Sequence, residues 1–215
     1  MQTSKKILTV AILAISANSV SAMEIKPFVG IDASQAQSTA KTKLSLTNGT
    51  ITSGSQVFSA GDSYTFSEND TATSYNLKIG ATLDTNNRVY IKNASYSKNE
   101  LDLVLTTVNY ERTFDLSNAI KPYAGVHIGQ ATADITVFSD TSTTMGAQIG
   151  ALFPIKEGFE VDFNVSYTML GLEDSVSGSL PNGTISGVTL NNVAGDIKLE
   201  LEDAVLINLG LNYNF

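Results

Sequence analysis

From residue 25 onward, apolar and polar positions alternate with a period of two. This is the pattern of strands whose two faces meet different surroundings. The clearest case is 205–215. Val205, Ile207, Leu209, Leu211, Tyr213 and Phe215 share one face; Leu206, Asn208, Gly210, Asn212 and Asn214 share the other. Asn and Gly are depleted in ordinary strands. An apolar face backed by them suits lipid on one side and a small hydrogen-bonded interior on the other. The length matches the roughly 9–11 residues that a tilted strand needs to cross a bilayer. The stretch 159–169 repeats the pattern, with Phe159, Val161, Phe163, Val165, Tyr167 and Met169 on one face and Glu160, Asp162, Asn164, Ser166 and Thr168 on the other. A face with two carboxylates cannot meet hydrocarbon, so it points inward.

The same reading places strands near 25–35, 74–84, 88–96, 103–114, 121–129 and 145–153. In the first, Lys26, Phe28, Gly30, Asp32 and Ser34 point inward; in the second, Asn76, Lys78, Gly80, Thr82 and Asp84 do. The strand at 88–96 is irregular. Val89 and Ile91 suggest one phase and Tyr90, Ala94 and Tyr96 the other, which leaves room for a bulge. Two polar segments, 37–71 and 173–197, are too long for plain connections. Each carries an Asn-Gly step (Asn48-Gly49 and Asn182-Gly183), the strongest short hairpin signal, so the first has room for its own β-ribbon. Polar connections at 97–100 and 136–143 fall on the same side, and the intervening turns are short. The fold class is all-β: an eight-stranded antiparallel up-and-down transmembrane β-barrel with two long extracellular loops.

Residues 1–22 stand apart. Lys5 and Lys6, an apolar run over 7–15 and small residues at Val20-Ser21-Ala22 read as a cleaved secretory signal peptide, leaving 23–215 as one barrel domain. There is no cysteine, which removes thiolate chemistry and Cys-ligated metal. The formal charge of −8 becomes −10 without Lys5 and Lys6, a poor match for nucleic acid.

Eight strands leave an interior that side chains just fill. The inward charges Lys26, Asp32, Lys78, Asp84, Glu160 and Asp162, joined by Glu111 and, in one register, Arg88, are expected to pair into an ionic plug. Tyr75, Tyr110, Phe153, Phe159, Tyr167, Tyr213 and Phe215 fall near strand ends on the outward face, where aromatic girdles sit. Lys26-Pro27-Phe28-Val29-Gly30 and Lys121-Pro122-Tyr123-Ala124-Gly125 start two strands alike, and Tyr213-Asn214-Phe215 closes the chain on an aromatic.

On these starts and this end, with the strand count and loop pattern, the mature chain resembles small eight-stranded bacterial outer-membrane barrels: the OmpA transmembrane domain and the opacity-type surface proteins. The resemblance implies an outer-membrane location reached through the periplasm. It also implies recognition of the last strand, ending in Phe215, by the barrel-assembly machinery. The surroundings would be outer-membrane lipid and lipopolysaccharide. The implied work is membrane integrity, adhesion or host contact through the loops. The alternatives are a narrow channel or transporter of hydrophobic compounds, and a lipid-modifying enzyme using His127, the one histidine. Since His127 points inward, it is read as part of the interior network. No catalytic, cofactor-binding or metal-ligating residue is assigned. The loop acids Asp62, Glu68, Asp70, Glu173, Asp174 and Asp196 are read as solvated.

Overall fold

A computed structural model describes residues 24–84, 86–98, 101–117, 119–135 and 138–215. The expected signal peptide lies outside the described residues. Ten strands follow in order: β1 (Ile25–Ser53), β2 (Gln56–Ser59), β3 (Ser63–Leu83), β4 (Asn87–Lys98), β5 (Leu101–Thr113), β6 (Lys121–Ile135), β7 (Phe138–Lys156), β8 (Phe159–Ser179), β9 (Gly183–Ile185) and β10 (Val188–Asn214). Neighbours pair antiparallel, and β1 pairs with β10 from Phe28↔Asn214 upward, closing the ring. The short β2 and β9 decorate the tips, which leaves a barrel of eight strands. Closure gives the backbone polar groups of the spanning strands partners within the protein, the condition for crossing hydrocarbon.

The two faces fall as the alternation requires. Leu209 is 58% exposed on the outer surface, whereas Asp162 on the adjacent strand is 1% exposed inside. Tyr75, Tyr110, Phe159, Tyr167, Tyr213 and Phe215 all face out. Phe159, Tyr213 and Phe215 stack in sequence at centroid distances of 4.8 and 5.0 Å, an aromatic belt at the lower rim. β4 runs in unbroken register against both neighbours, so the bulge allowed for there does not occur. Its irregular pattern has another cause: Tyr90, Ala94 and Tyr96 point inward with Arg88, and large aromatics there fill the lumen.

The segments read as loops are largely strand. Residues 37–71 continue β1 and β3 and add β2, 173–197 continue β8 and β10 and add β9, and most of 136–143 belongs to β7. The Asn-Gly steps are not the turns. The upper hairpins turn instead at Gly54-Ser55 and at Ser186-Gly187; Ser186 and Gly187 both have positive φ (48° and 81°), the geometry of a two-residue hairpin turn. Asn48-Gly49 and Asn182-Gly183 flank one stretch of β10 from its two sides. Gly49, at φ 81°, lies where an added Cβ would strike the carbonyls of Asn191 and Asn192. On the opposite side, Asn182 Oδ1 accepts from Asn192 N, and Leu180 N donates to Val193 O. The similar hexapeptides 46–51 and 180–185 thus brace the same strand from opposite edges.

Interior glycines make room for the plug. A Cβ on Gly80 would overlap Tyr90, one on Gly150 would press on the Tyr123 ring, and one on Gly146 on the His127 ring. Gly80→Ala is therefore expected to destabilise the barrel by about 1–3 kcal/mol through overpacking. The lipid-facing Ala81→Val should be near neutral. The urea midpoint of heat-modifiable gel mobility in lipid vesicles checks both.

Candidate functional site

The lumen is built in layers. Near the lower rim, the Arg88 guanidinium lies 4.4 Å from the Phe28 ring centroid, and Arg88 Nη1 is 3.0 Å from Glu111 Oε2. Glu111 Oε1 accepts from Tyr90 Oη at 2.6 Å and from Gln148 Nε2 at 2.8 Å. Above them, Lys78 Nζ sits 2.7 Å from both Asp32 Oδ1 and Asp162 Oδ2, and Tyr123 Oη donates to Asp162 Oδ1 at 2.7 Å. Lys92 Nζ reaches Asn208 Oδ1 at 2.7 Å and Asp32 Oδ2 at 3.3 Å. Ser34, Asn76, Asn164 and Asn208 extend the hydrogen bonds around the wall. Three cations (Lys78, Arg88, Lys92) face three carboxylates (Asp32, Glu111, Asp162), so the layer is neutral as charged.

This is the expected plug with different members. Asp32, Lys78 and Asp162 lie in it as read, and Glu111 and Arg88 join them fully buried. Lys26 does not: it pairs with Glu24 at 3.0 Å on the lower rim, half exposed. Asp84 does not either, because it leaves the strand at a turn with φ 57° and is solvated. Glu160 is half-buried near the same rim. Charges at the first and last positions of a strand reach water even when their phase is inward. Lys92 is not legible in the sequence because the phase of 88–96 is ambiguous there; with Tyr90 and Tyr96 inward, Lys92 is inward too.

His127 is inside, with Nε2 3.0 Å from Thr168 Oγ1, and its Nδ1 has no hydrogen-bond partner among the described residues. A triad-type base needs an orienting acid at that nitrogen. The cavity beside it, lined by Lys92, Gln148, Ser166 and Thr168 among others, has a volume of about 20 Å³. That is room for about one water. A far larger concavity, about 590 Å³, lies on the outer surface between Val29, Ile31, Leu77, Ile79, Leu211 and Tyr213. It is a fissure among lipid-facing side chains, over the wall positions Gly30, Lys78 and Asn212.

Above the ionic layer the polarity reverses. Ala36, Tyr96, Leu103, Leu105, Ala131, Leu170, Leu172, Leu201 and Leu206 form a buried apolar cluster inside the ring. On β8 the apolar phase changes sides between Met169, which is outward, and Leu170 and Leu172, which are inward. On β10 a register shift between Leu201 and Asp203 does the same. Higher still, Leu46, Leu190 and Val193 make a small second cluster. The outer face at this height is polar: Lys41 pairs with Glu202 at 2.6 Å, and Lys198 with Glu173 and Glu200 at 2.7 Å each. The bond to Glu173, backed by Glu200, raises the Lys198 pKa, and Lys198 in turn lowers that of Glu200. The other loop acids are dispersed. Asp62 caps the turn through Ser59 N at 2.7 Å, and Asp196 accepts from Ser177 at 2.6 Å. No group of three or more potential metal ligands occurs among the described residues.

The walls are unequal in height. β1–β3 and β8–β10 pair far above the girdle, up to Ser45↔Ser63 and Ala194↔Ser179. The β4–β5 and β6–β7 ladders end at Lys98↔Leu101 and Ile135↔Phe138. A closed ring, a lipid-facing apolar band, an ion-paired core and tall hairpins at one end define a transmembrane β-barrel of the outer-membrane kind.

Residues 9–215 match the family described as outer membrane protein beta-barrel domain, and the chain belongs to it. Its place is the bacterial outer membrane. Among solved structures, Neisserial surface protein A (NspA) shares 16% identity at a TM-score of 0.53, covering 88% of this chain and 97% of that one. At that identity the likeness is one of fold. Ail, the attachment invasion locus protein of Yersinia pestis, is 13% identical (86% and 98% covered, TM-score 0.38). OprG from Pseudomonas aeruginosa is 14% identical (86% and 95%, TM-score 0.42). No curated protein gives a significant sequence match.

The plug makes a direct prediction. Glu111→Ala strands the Arg88 charge and should cost about 3–5 kcal/mol, whereas the paired Arg88→Met/Glu111→Leu change should recover most of it. Thermal midpoints of heat-modifiable mobility, compared across the three proteins, check the difference.

Proposed function

We propose that this barrel is a surface-interaction protein, with its plugged interior serving stability and its tall extracellular hairpins meeting other molecules. The observation that carries the reading is the contrast between the two ends of the lumen axis. The membrane layer holds a neutral, ion-paired core with room for about one water. The extension above it is ordered β-structure displaying large side chains such as Tyr64, Phe66 and Val57. A protein needing only to span the bilayer has no use for a built structure outside it, and exposed apolar side chains on such a structure mark interaction surfaces.

Within this reading the lumen does not conduct, and the apolar cluster over the ionic layer is a second barrier to ions. His127 belongs to the interior network and has no catalytic part. The signal segment 1–22 is removed on export, and the strand ending at Phe215 is read by the assembly machinery. Host molecules or neighbouring cell surfaces are the partners at the hairpins, while lipopolysaccharide surrounds the upper girdle.

The test replaces 40–69 and 174–199 by short turns. The shortened chain should still show heat-modifiable mobility, because the ionic layer and its glycines are untouched, but cells displaying it should lose adhesion to host cells or matrix. Retained adhesion would sink the proposal. Large, steady conductance of the intact protein in planar bilayers would favour the channel reading instead.

A further inference from the structure

Over the apolar cluster the taller part of the wall continues as a curved sheet of four strands, in the order β3-β1-β10-β8. Its inner face can be followed row by row through the register. The lowest row is Glu68, Ala40, Leu201 and Leu172, and its two leucines are buried in the cluster. The next is Phe66, Thr42, Leu199 and Asp174. Above it come Tyr64, Leu44, Ile197 and Val176, one large apolar side chain on each strand. These four are exposed by 54%, 36%, 43% and 44%, and Phe66 by 57%. Tyr64 and Phe66 meet edge-to-face at 4.4 Å. Above the bilayer the inner face is the side this chain buries, so an apolar row left open there lacks a covering layer. At opposite sides of the rows, in the same phase, stand Glu68 on β3 and Asp174 on β8.

We propose that this inner face docks an amphipathic, cationic α-helix of an extracellular protein or peptide. The proposal rests on the surface-interaction reading and names the partner's chemistry. The backbone bonds of a sheet lie in its own plane, so a segment lying on its face gains none of them. Such a segment must satisfy its own backbone, as a helix does. The size agrees. Four strands about 4.8 Å apart make a row roughly 14 Å long, which a helix covers in about nine or ten residues at about 1.5 Å each. Apolar anchors at i, i+3, i+4 and i+7 of that helix lie along Tyr64, Leu44, Ile197 and Val176. Charge sets the sign of the rest. Glu68 and Asp174 flank the apolar row, and the chain as a whole carries −8, so the residues beside the helix's apolar stripe are basic.

Two other occupants fit less well. The acids that favour a cationic helix repel the phosphate of a lipid headgroup, which argues against an acyl chain anchored here. A second copy of this chain offers no helix among its described residues.

The test uses the full-length protein in phosphatidylcholine nanodiscs, with empty nanodiscs as the blank. The probe is a synthetic peptide of Leu, Lys and Ala, about four helical turns long, with its leucines on one face and its lysines beside them. One control peptide has a central proline, which breaks the helix, and another has every lysine replaced by glutamate. The parent should bind above the blank and the two controls should not. A spin label on the parent should broaden the methyl signals of Leu44, Ile197 and Val176. Ile197→Ser and Phe66→Ser should each weaken binding roughly tenfold, and Glu68→Lys and Asp174→Lys roughly fivefold, with heat-modifiable mobility unchanged. Equal binding by the proline peptide would mean an extended occupant, and equal binding by the glutamate peptide would remove the role of the acids; either overturns the proposal. So does indifference to Ile197→Ser, binding no greater than the blank, or a single-chain phosphocholine lipid that takes the row and excludes the peptide. If adhesion still depends on the hairpins in those cases, the surface-interaction reading survives; adhesion that persists without the hairpins would instead undo that reading.

Discussion

Hydrocarbon offers a peptide group no hydrogen-bond partner, and that deficit shapes the whole chain. A strand in lipid must be paired on both edges, so the first strand has to meet the last. The β1–β10 ladder does this over nearly the full length of both strands, from Phe28↔Asn214 to Ser53↔Val188. Once the ring is closed, its interior is a narrow space bounded by backbone. The side chains pointing there must be polar enough to leave the other face to lipid and paired enough to tolerate burial. The layer of Lys78, Arg88, Lys92, Asp32, Glu111 and Asp162 meets both demands. Lys78 extends past Gly30, Glu111 past Gly125 and Asp32 past Gly210, each an inward glycine on a neighbouring strand.

The constraint lapses where the strands leave the bilayer. In water the outer face gains by being polar and the inner face by being apolar, which is the arrangement of soluble β-structure. The chain makes that exchange within one or two residues: Met169 faces out and Leu170 in, and the irregularity at 201–203 returns Leu201 to the inside. The result is one continuous ring with two cores of opposite character, ionic below and apolar above. The upper core lets the hairpins stand as ordered structure without lipid. Once the hairpins are ordered, their edges and faces have fixed positions, which a flexible loop could not offer a partner.

How much of this can be read from the sequence follows from the same physics. The spanning strands were legible because lipid on one side and charge on the other force clean alternation, as in 159–169. The register of 88–96 is obscured because Tyr90 and Tyr96 are aromatic yet belong inside, where Tyr90 bonds Glu111 and both fill space; hydrophobicity alone assigns them to the wrong face. The extension reads as loop in the sequence because above the bilayer its polar residues face outward and its apolar ones inward, the reverse of the phase in the strands below. The Asn-Gly steps misled for a different reason. Gly49 is required by a close approach to β10, not by a hairpin, and Asn182 is used for its side-chain bonds to Asn192. Among charges, phase predicted direction and strand position predicted burial; Lys26 and Asp84 failed on the second count.

Unequal hairpin heights then acquire a physical meaning. If all four upper hairpins rose to the same level, every strand would be paired on both sides and the extension would be a closed, inert cylinder. Because β4 and β5 stop low, the upper part of β3 rises beyond its ladder with β4; on the opposite side β7 supplies Thr144, Ser142 and Asp140 to β8 as far as Glu173. Charged residues commonly protect an open edge against indiscriminate pairing. The exposed Glu68 does this on β3. The open edge and its protection thus both follow from where two neighbouring hairpins end.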